Sequence, residues 1–301
     1  MNQIVYFDGQ FLAEEQARVP LATHALQYGT GCFEGIRGYK TADRKIAIFR
    51  PKEHFERLLR SAKILRINVS QSADELVEAA KDLLRKNQIT EDIYLRPFAF
   101  KSGTEISPKM LGVKDSLAIY TVKIGQYLAK DQAIKVCTSS WRRMPDAVLP
   151  SRAKVSGAYI TSSLAKTEAL ENGFDEAIFL TLEGKVSEGS GENLFMVRNG
   201  QLVTPDVSQS ILEGITRASV IELVKSELNL EVIERPIDRS ELYIAEEVFL
   251  TGTAAEITAV GFVDQRIVDK GEIGPITKKL QDLFNSIVRG QNEKFQSWLE
   301  R

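Results

Sequence analysis

Nine residues, Ser187 to Phe195 (S-E-G-S-G-E-N-L-F), constrain this chain more than any other stretch. A carboxylate, Glu188, opens a tight turn built on Gly189 and Gly191, and the turn runs into the apolar strand signal Leu194-Phe195. Glycines at those two places leave room beside the turn. About thirty residues earlier stands an isolated lysine, Lys154, in the small-residue setting P-S-R-A-K-V-S-G-A-Y.

The rest of the chain reads as mixed α and β. Asp8-Gly9 between alternating apolar residues predicts a hairpin over Val5 to Leu12. A strand at Ile46 to Phe49 ends at Arg50-Pro51, and Pro51 suits the first turn of a helix carrying Phe55, Leu58, Leu59, Ala62 and Leu65 on one face. Ser72-x-x-Glu75 is a capping box ahead of Leu76, Ala80, Leu83 and Leu84. Strands follow at Ile93 to Phe100 and Leu117 to Ile124. The polar segment Gly125 to Gln132 is the natural linker between two domains. Beyond it come strands at Ile134 to Thr138, Ala177 to Thr181, Asn193 to Val197 and Glu247 to Thr251. Helices are expected from about Gly157 to Glu171, stopped by Asn172-Gly173, and near Gly214 to Leu228 and Pro275 to Arg289. Asn199-Gly200 marks another hairpin.

Composition removes whole classes of function. A chain of 301 residues with 43% apolar residues buries a large core, and its length suits two domains. A formal charge of −2 without a basic cluster implies no nucleic-acid partner, and no apolar run is long enough for a membrane span. The N-terminus lacks the regions of a signal peptide, so a soluble, cytoplasmic protein is expected. Two cysteines, Cys32 and Cys137, give no disulfide framework and no zinc spacing, and both are expected as buried small hydrophobes. With only His24 and His54 present, a multi-histidine metal site is excluded and no metal is expected. His54 lies in a helical pattern and is expected on a partly exposed face; His24 suits a buried place. Neither has the surroundings of a hydrolase nucleophile elbow.

Chemistry then falls to Lys, Tyr, Glu and a borrowed cofactor. A desolvated lysine becomes a nucleophile able to form a Schiff base. Tyr159 lies five residues beyond Lys154, within reach if the chain turns into a helix, although a core aromatic suits that spacing equally. An amine, a phenol and the Glu188 acid are the parts that hold pyridoxal phosphate, which works as an electron sink while a carboxylate keeps its ring nitrogen protonated. Its phosphate needs a helix N-terminus, which Leu212-Glu213-Gly214-Ile215-Thr216 supplies, and Thr251-Gly252-Thr253-Ala254-Ala255 offers a second nest. A cation is also wanted, and spacing leaves Arg57, Arg60 and Arg66 open. The rival signal Y-G-T-G-C-F-E-G (Tyr28 to Gly35) evokes a dinucleotide loop, but a strand must precede the glycines and a helix follow. Here Ala22 to Gln27 reads as a turn or short helix and Phe33 to Tyr39 as a strand, so a nicotinamide-dependent reductase ranks well below.

Together these motifs resemble the fold-type IV enzymes, and within them the branched-chain amino acid aminotransferases. H-A-L-Q-Y-G-T-G-C-F-E-G-I-R, H-F-E-R-L, Y-L-R-P, R-A-K-V-S-G-A-Y, S-E-G-S-G-E-N-L-F, E-G-I-T-R and T-G-T-A-A-E-I occur in family order over nearly the whole length. The resemblance implies an α/β (mixed α+β) fold: a small N-terminal α/β domain (1–124), an interdomain loop (125–133) and a larger cofactor-binding domain (134–301) with a pseudo-barrel sheet. It implies Lys154 as the Schiff-base lysine and proton carrier, Tyr159 on the cofactor's phenolic oxygen and Glu188 on its pyridine nitrogen. Arg57, Ile215, Thr216 and Thr253 would hold the phosphate. Tyr28, Phe33, Gly35, Tyr94, Arg96, Tyr127 and Ala254 fall at substrate positions.

The implied reaction is ping-pong transamination between leucine, isoleucine or valine and 2-oxoglutarate, by a homodimer or larger homo-oligomer. The alternatives within the group are transaminases of D-amino acids or (R)-amines, and less so aminodeoxychorismate lyase. Ile124, where relatives often carry a large aromatic, and the charged loop Lys101 to Lys114 bear on the substrate range. A catalytically silent member of the fold is disfavoured, since Lys154, Tyr159 and Glu188 are all present.

Overall fold

The computed structural model describes residues 3–125, 128–129 and 131–301. They form two compact units, each built on its own sheet.

The first unit gathers Met1–Gly125, Ala153–Ala158 and Ser286–Arg301. Its hairpin β1 (Ile4–Phe7) and β2 (Gln10–Ala13) turns at Asp8-Gly9 as the sequence predicts. A one-turn helix, α1 (His24–Tyr28), ends at Gly29 in the left-handed region and leads to β3 (Gly31–Phe33) and β4 (Ile36–Lys40). The expected single strand from Phe33 to Tyr39 is therefore broken at Glu34-Gly35. The partner strand explains the break. β6 pairs β4 through Ile93–Leu95 and β3 through Phe98–Phe100, and Pro97 between them has no N–H to extend the ladder. Only Glu34 N bonds across the gap, to the Pro97 carbonyl at 2.9 Å. β5 (Ile46–Phe49) leads through Arg50 and Pro51 into α2 (Pro51–Ile64), and α3 (Ala73–Lys86) starts with the Ser72–Glu75 capping box. β6 (Ile93–Lys101) and β7 (Asp115–Val122) complete the middle of the sheet.

The second unit, Gln126–Arg152 with Tyr159–Asn285, holds β8 (Ile134–Arg142), α4 (Tyr159–Glu171), β9 (Glu176–Leu180), β10 (Val186–Gly189), β11 (Asn193–Arg198) and β12 (Gln201–Thr204). There follow α5 (Ile215–Leu223), β13 (Val232–Glu234), β14 (Glu247–Gly252), β15 (Glu256–Val263), β16 (Arg266–Ile267) and α6 (Pro275–Val288). The helix expected to run to Leu228 loosens to a π-helical turn over Val224–Leu228. The sheet order is β10-β9-β8-β15-β14-β11-β12-β13, with β16 on β15. Its β9–β8, β8–β15 and β12–β13 pairs are parallel and the others antiparallel, and β9 and β14 are buried along nearly their whole length while β8 alternates toward solvent. Leu194, Met196, Val203, Val248, Leu250 and Val260 form its core, and Phe195 stacks on Phe249 at 5.1 Å directly across β11 and β14.

A final strand, β17 (Leu299–Glu300), pairs antiparallel with β5 and closes the first sheet in the order β17-β5-β4-β6-β7-β1-β2. The segment Ala153–Ala158 is stitched onto the same unit. Gly157 N donates to Gly29 O, and the Ser156 hydroxyl meets Gly29 O and Gly31 O at 3.0 Å. A Cβ on Gly29 would lie 2.8 Å from Gly157 Cα, so this close approach requires glycine. Cys32 is fully buried as expected, but Cys137 is only half-buried, packed against the edge of the cluster that Ala165, Ala169, Ala177 and Phe179 form.

Candidate active site

In the first unit Lys154 is held by its backbone. Its N–H donates to the Ser61 hydroxyl on α2 at 3.1 Å, and its carbonyl accepts from Phe33 N at 3.1 Å. The amine of this half-buried residue sits 5.1 Å over the Phe33 ring. A second cation meets the same ring. Arg96 stacks 4.4 Å from the Phe33 ring and 5.2 Å from Tyr94, and donates to the Tyr94 hydroxyl at 3.1 Å. Tyr94 in turn closes over Gly35, where a Cβ would come within 1.8 Å of the phenol oxygen. Lys154, Phe33, Gly35, Tyr94 and Arg96 thus form one cluster. Tyr28, at the end of α1, is exposed and packs on His24 at 4.7 Å. Tyr127 lies outside the described residues.

Arg57 stands on α2 with its guanidinium bound to a residue that the sequence reading passed over. Its Nε donates to Glu34 Oε1 at 2.7 Å and its Nη2 to Glu34 Oε2 at 2.8 Å. His54, one turn earlier, places Nδ1 2.8 Å from Glu34 Oε2. The expectation of a partly exposed His54 is overturned: the ring is 1% exposed, because the carboxylate at the β3–β4 break draws it inward. Burial alone would raise the Glu34 carboxyl, but Arg57 and then His54 outweigh it and hold it at about 2. Burial pushes His54 below the ordinary imidazole range, partly offset by Glu34. Burial and the Glu34 charge push the Cys32 thiol up to about 12, so it stays a neutral thiol.

In the second unit Glu188, 5% exposed at the end of β10, is the centre of a different arrangement. Arg143 Nη2 lies 2.7 Å from Oε1, while Asn193 Nδ2 donates to Oε2 at 3.0 Å and Leu212 N at 2.9 Å. Asn193 also donates to Leu212 O at 2.9 Å, tying the carboxylate to the stretch that opens α5. A Cβ on Gly214, the N-cap, would strike Asn193 Oδ1 at 2.0 Å. Ile215 and Thr216 therefore begin α5 beside Asn193, with no side chain capping their amides. Across β11 and β14, Asn193 faces Thr251, whose buried hydroxyl has no hydrogen-bond partner among the described residues. Thr253 and Ala254 follow in the half-buried turn between β14 and β15, and half-buried Tyr159 begins α4.

Glu192 is a further acid in the same turn. Gly191 N donates to its Oε2 at 3.1 Å, and Gly189 N to its carbonyl at 2.6 Å. Burial, reinforced by the charge on Glu176, pushes it up to about 8.

The donor set of the second unit fits pyridoxal phosphate: an ion-paired carboxylate for a protonated ring nitrogen, uncapped amides at a helix N-terminus, and a buried hydroxyl without a protein partner. Glu34, His54 and Arg143 were missed in the sequence because nothing local marks them. Each acquires its role from a strand or loop distant in the chain.

A model of the amino-transferase class IV family matches residues 31–261. A probable branched-chain-amino-acid aminotransferase of Aquifex aeolicus is 49% identical over 295 residues, covering 98% of this chain and 95% of that protein. The crystal structure of the branched-chain aminotransferase of Thermoproteus uzoniensis with norvaline has a TM-score of 0.95 at 43% identity, covering 100% of this chain and 99% of that one. The branched-chain amino acid aminotransferase of Thermobaculum terrenum, solved in its PLP-form (holo-form), has a TM-score of 0.94 at 38% identity, over 99% of this chain and 98% of that one.

Proposed function

The chain belongs to the amino-transferase class IV family, and from that premise we propose that it is a pyridoxal-phosphate-dependent transaminase exchanging amino groups between branched-chain L-amino acids and 2-oxoglutarate. The observation that carries this reading is Glu188, a buried carboxylate gripped by Arg143, Asn193 and Leu212 N at the lip of the α5 N-terminus.

Lys154, Tyr159 and Glu188 would hold the cofactor ring, and Arg57, Ile215, Thr216 and Thr253 its phosphate. When bound, that group supplies an electron sink for the bond broken at the substrate's Cα. The protein's own part is proton handling and orientation. Lys154 Nζ would act as general base toward the substrate's Cα proton and as general acid for its return in the reverse half-reaction. Glu188, as a carboxylate, would accept a charge-assisted hydrogen bond from the ring N–H and so keep that nitrogen protonated. Arg96 and Tyr94, with the amides of Thr253 and Ala254, would orient a substrate carboxylate, while Phe33, Gly35 and Tyr28 would surround an aliphatic chain. A pocket of this kind discriminates by about 1–3 kcal/mol per methylene. The same pocket must also admit the acidic side chain of glutamate, which a purely apolar lining would reject.

Among the described residues no helix is long and apolar enough to cross a membrane. A cytoplasmic location and a homo-oligomer of at least two chains complete the proposal, as does the division at 125–133 into small and large domains.

The test is a half-reaction on purified protein. L-leucine is expected to bleach the visible band of the bound cofactor, and 2-oxoglutarate to restore it. Bleaching by D-alanine or (R)-1-phenylethylamine alone would leave the cofactor reading intact and overturn the substrate class. A chain that stays colourless with added pyridoxal phosphate would overturn both.

A further inference from the structure

The three side chains at the β3–β4 break carry no net charge together. Glu34 is an anion, Arg57 a cation, and His54 is buried and neutral. Because a carboxylate only accepts, His54 Nδ1 must donate to Glu34 Oε2, which leaves Nε2 as the ring's basic nitrogen. His54 and Arg57 are three residues apart on α2 and so share a face. Two guanidinium nitrogens of Arg57 are already committed to Glu34. The trio can therefore orient an arginine toward a phosphate, but it offers a dianion no excess positive charge.

We infer that Glu34 and His54 are positioning residues for Arg57, and that docking of a phosphate dianion is accompanied by proton uptake at His54 Nε2. This rests on the reading of Arg57 as a phosphate-holding residue. The proton comes from solvent and adds to the Nε2 lone pair, leaving the Nδ1–Glu34 hydrogen bond in place. The trio then changes from neutral to singly positive, beside a ligand that stabilises the added charge. The other charged groups around His54 do not compete for this role. Glu53, on α2, is bound by Arg50 at 2.7 Å, and the Cys32 thiol on β3 remains neutral. On the side of α3, the charged contact of α2 is Lys52 with Asp74, an exposed pair at 2.8 Å.

The chain has only two histidines, so imidazole nuclear magnetic resonance reads the proposal directly. Full-length protein freed of cofactor is titrated with pH in the absence and presence of saturating inorganic phosphate, and H54Q assigns the signals. Expected without phosphate is a neutral His54 carrying its proton on Nδ1. With phosphate, its midpoint should rise by at least one pH unit, which corresponds to about tenfold tighter phosphate binding by the protonated form. In H54Q the phosphate affinity should lose that component of its pH dependence, while His24 is unmoved in both.

A His54 that stays neutral with phosphate bound, or a pH dependence unchanged in H54Q, overturns the inference. R57Q and the charge-conserving R57K separate this from failure of the site reading. If both bind inorganic phosphate as the parent does, or if the parent binds none, the assignment of phosphate to Arg57 falls. If both lose it while His54 is silent, only the proton uptake falls.

Discussion

Each unit contains a buried glutamate–arginine pair, and the two are used in opposite senses. At the β3–β4 break the acid serves the base: Glu34 is wholly enclosed and spends its oxygens on Arg57 and His54. At the end of β10 the base serves the acid: Arg143, with 15% of its side chain exposed, backs Glu188 from one side while Asn193 and Leu212 N hold the other. On the proposed site roles, the same two residue types would turn an arginine toward the ligand in one place and a carboxylate in the other. Sequence composition cannot distinguish them, and neither does enclosure, since the glutamate is the more enclosed partner in both pairs. They differ in the third group, His54 sharing Glu34 in one place and Asn193 with Leu212 N holding Glu188 in the other.

The sharpest break of that comparison is K154A. If both pairs only hold and Lys154 alone moves protons, transamination should fall about 10²–10⁴-fold or more. The urea midpoint should barely move, since only the half-buried amine and stem are lost. Activity assays on the folded variant check the first part and equilibrium unfolding the second.

Next is E34A, which leaves Arg57 buried without its counter-charge and should cost about 3–5 kcal/mol of stability. R143A removes a less enclosed partner and leaves Glu188 the bonds from Asn193 and Leu212 N, so it should cost less. Equal losses in urea unfolding would refute the proposed difference in enclosure.

The acids also predict opposite pH responses. Glu34 is depressed to about 2, so its contribution is complete above about 4.5 and is lost as pH falls toward 2. Glu192 is raised to about 8, so its contribution is complete below about 4.5, declines as pH rises, and is gone above 8. E192Q should therefore match the parent at pH 4.5 and exceed it in stability at pH 9. Unfolding curves at both values test the sign.

The smallest effect is expected from G35A. Its Cβ would displace the Tyr94 phenol and should raise the KM for L-leucine about tenfold with little change in stability.

How far the sequence could be read follows from how local each signal is. The hairpin at Asp8-Gly9, the capping box at Ser72 and the helix stop at Asn172-Gly173 are short-range devices, and they form as read. The strand β15 carried no turn signal of its own and was not anticipated. β8 runs four residues past its expected end, because β9 supplies a partner as far as Arg142. Glu188, Lys154 and Thr216 were legible as residues suited to a cofactor, since each sits among small or helix-opening neighbours. Glu34 was not, because its meaning comes from Arg57, 23 residues away, and from Pro97 across the sheet. His54 was misjudged for the same reason: helical spacing gives a face, not what lies against it.

The chain order of β17 carries a consequence for synthesis. Strand β5 lies near the N-terminus, yet its outer neighbour, Leu299–Glu300, is translated after all of the second unit, and Ala153–Ala158 emerges midway. A chain growing on the ribosome can complete the later sheet while the earlier one still has an open edge. The unit that is made first is the one finished last, and β5 is the edge a chaperone would be expected to guard until then.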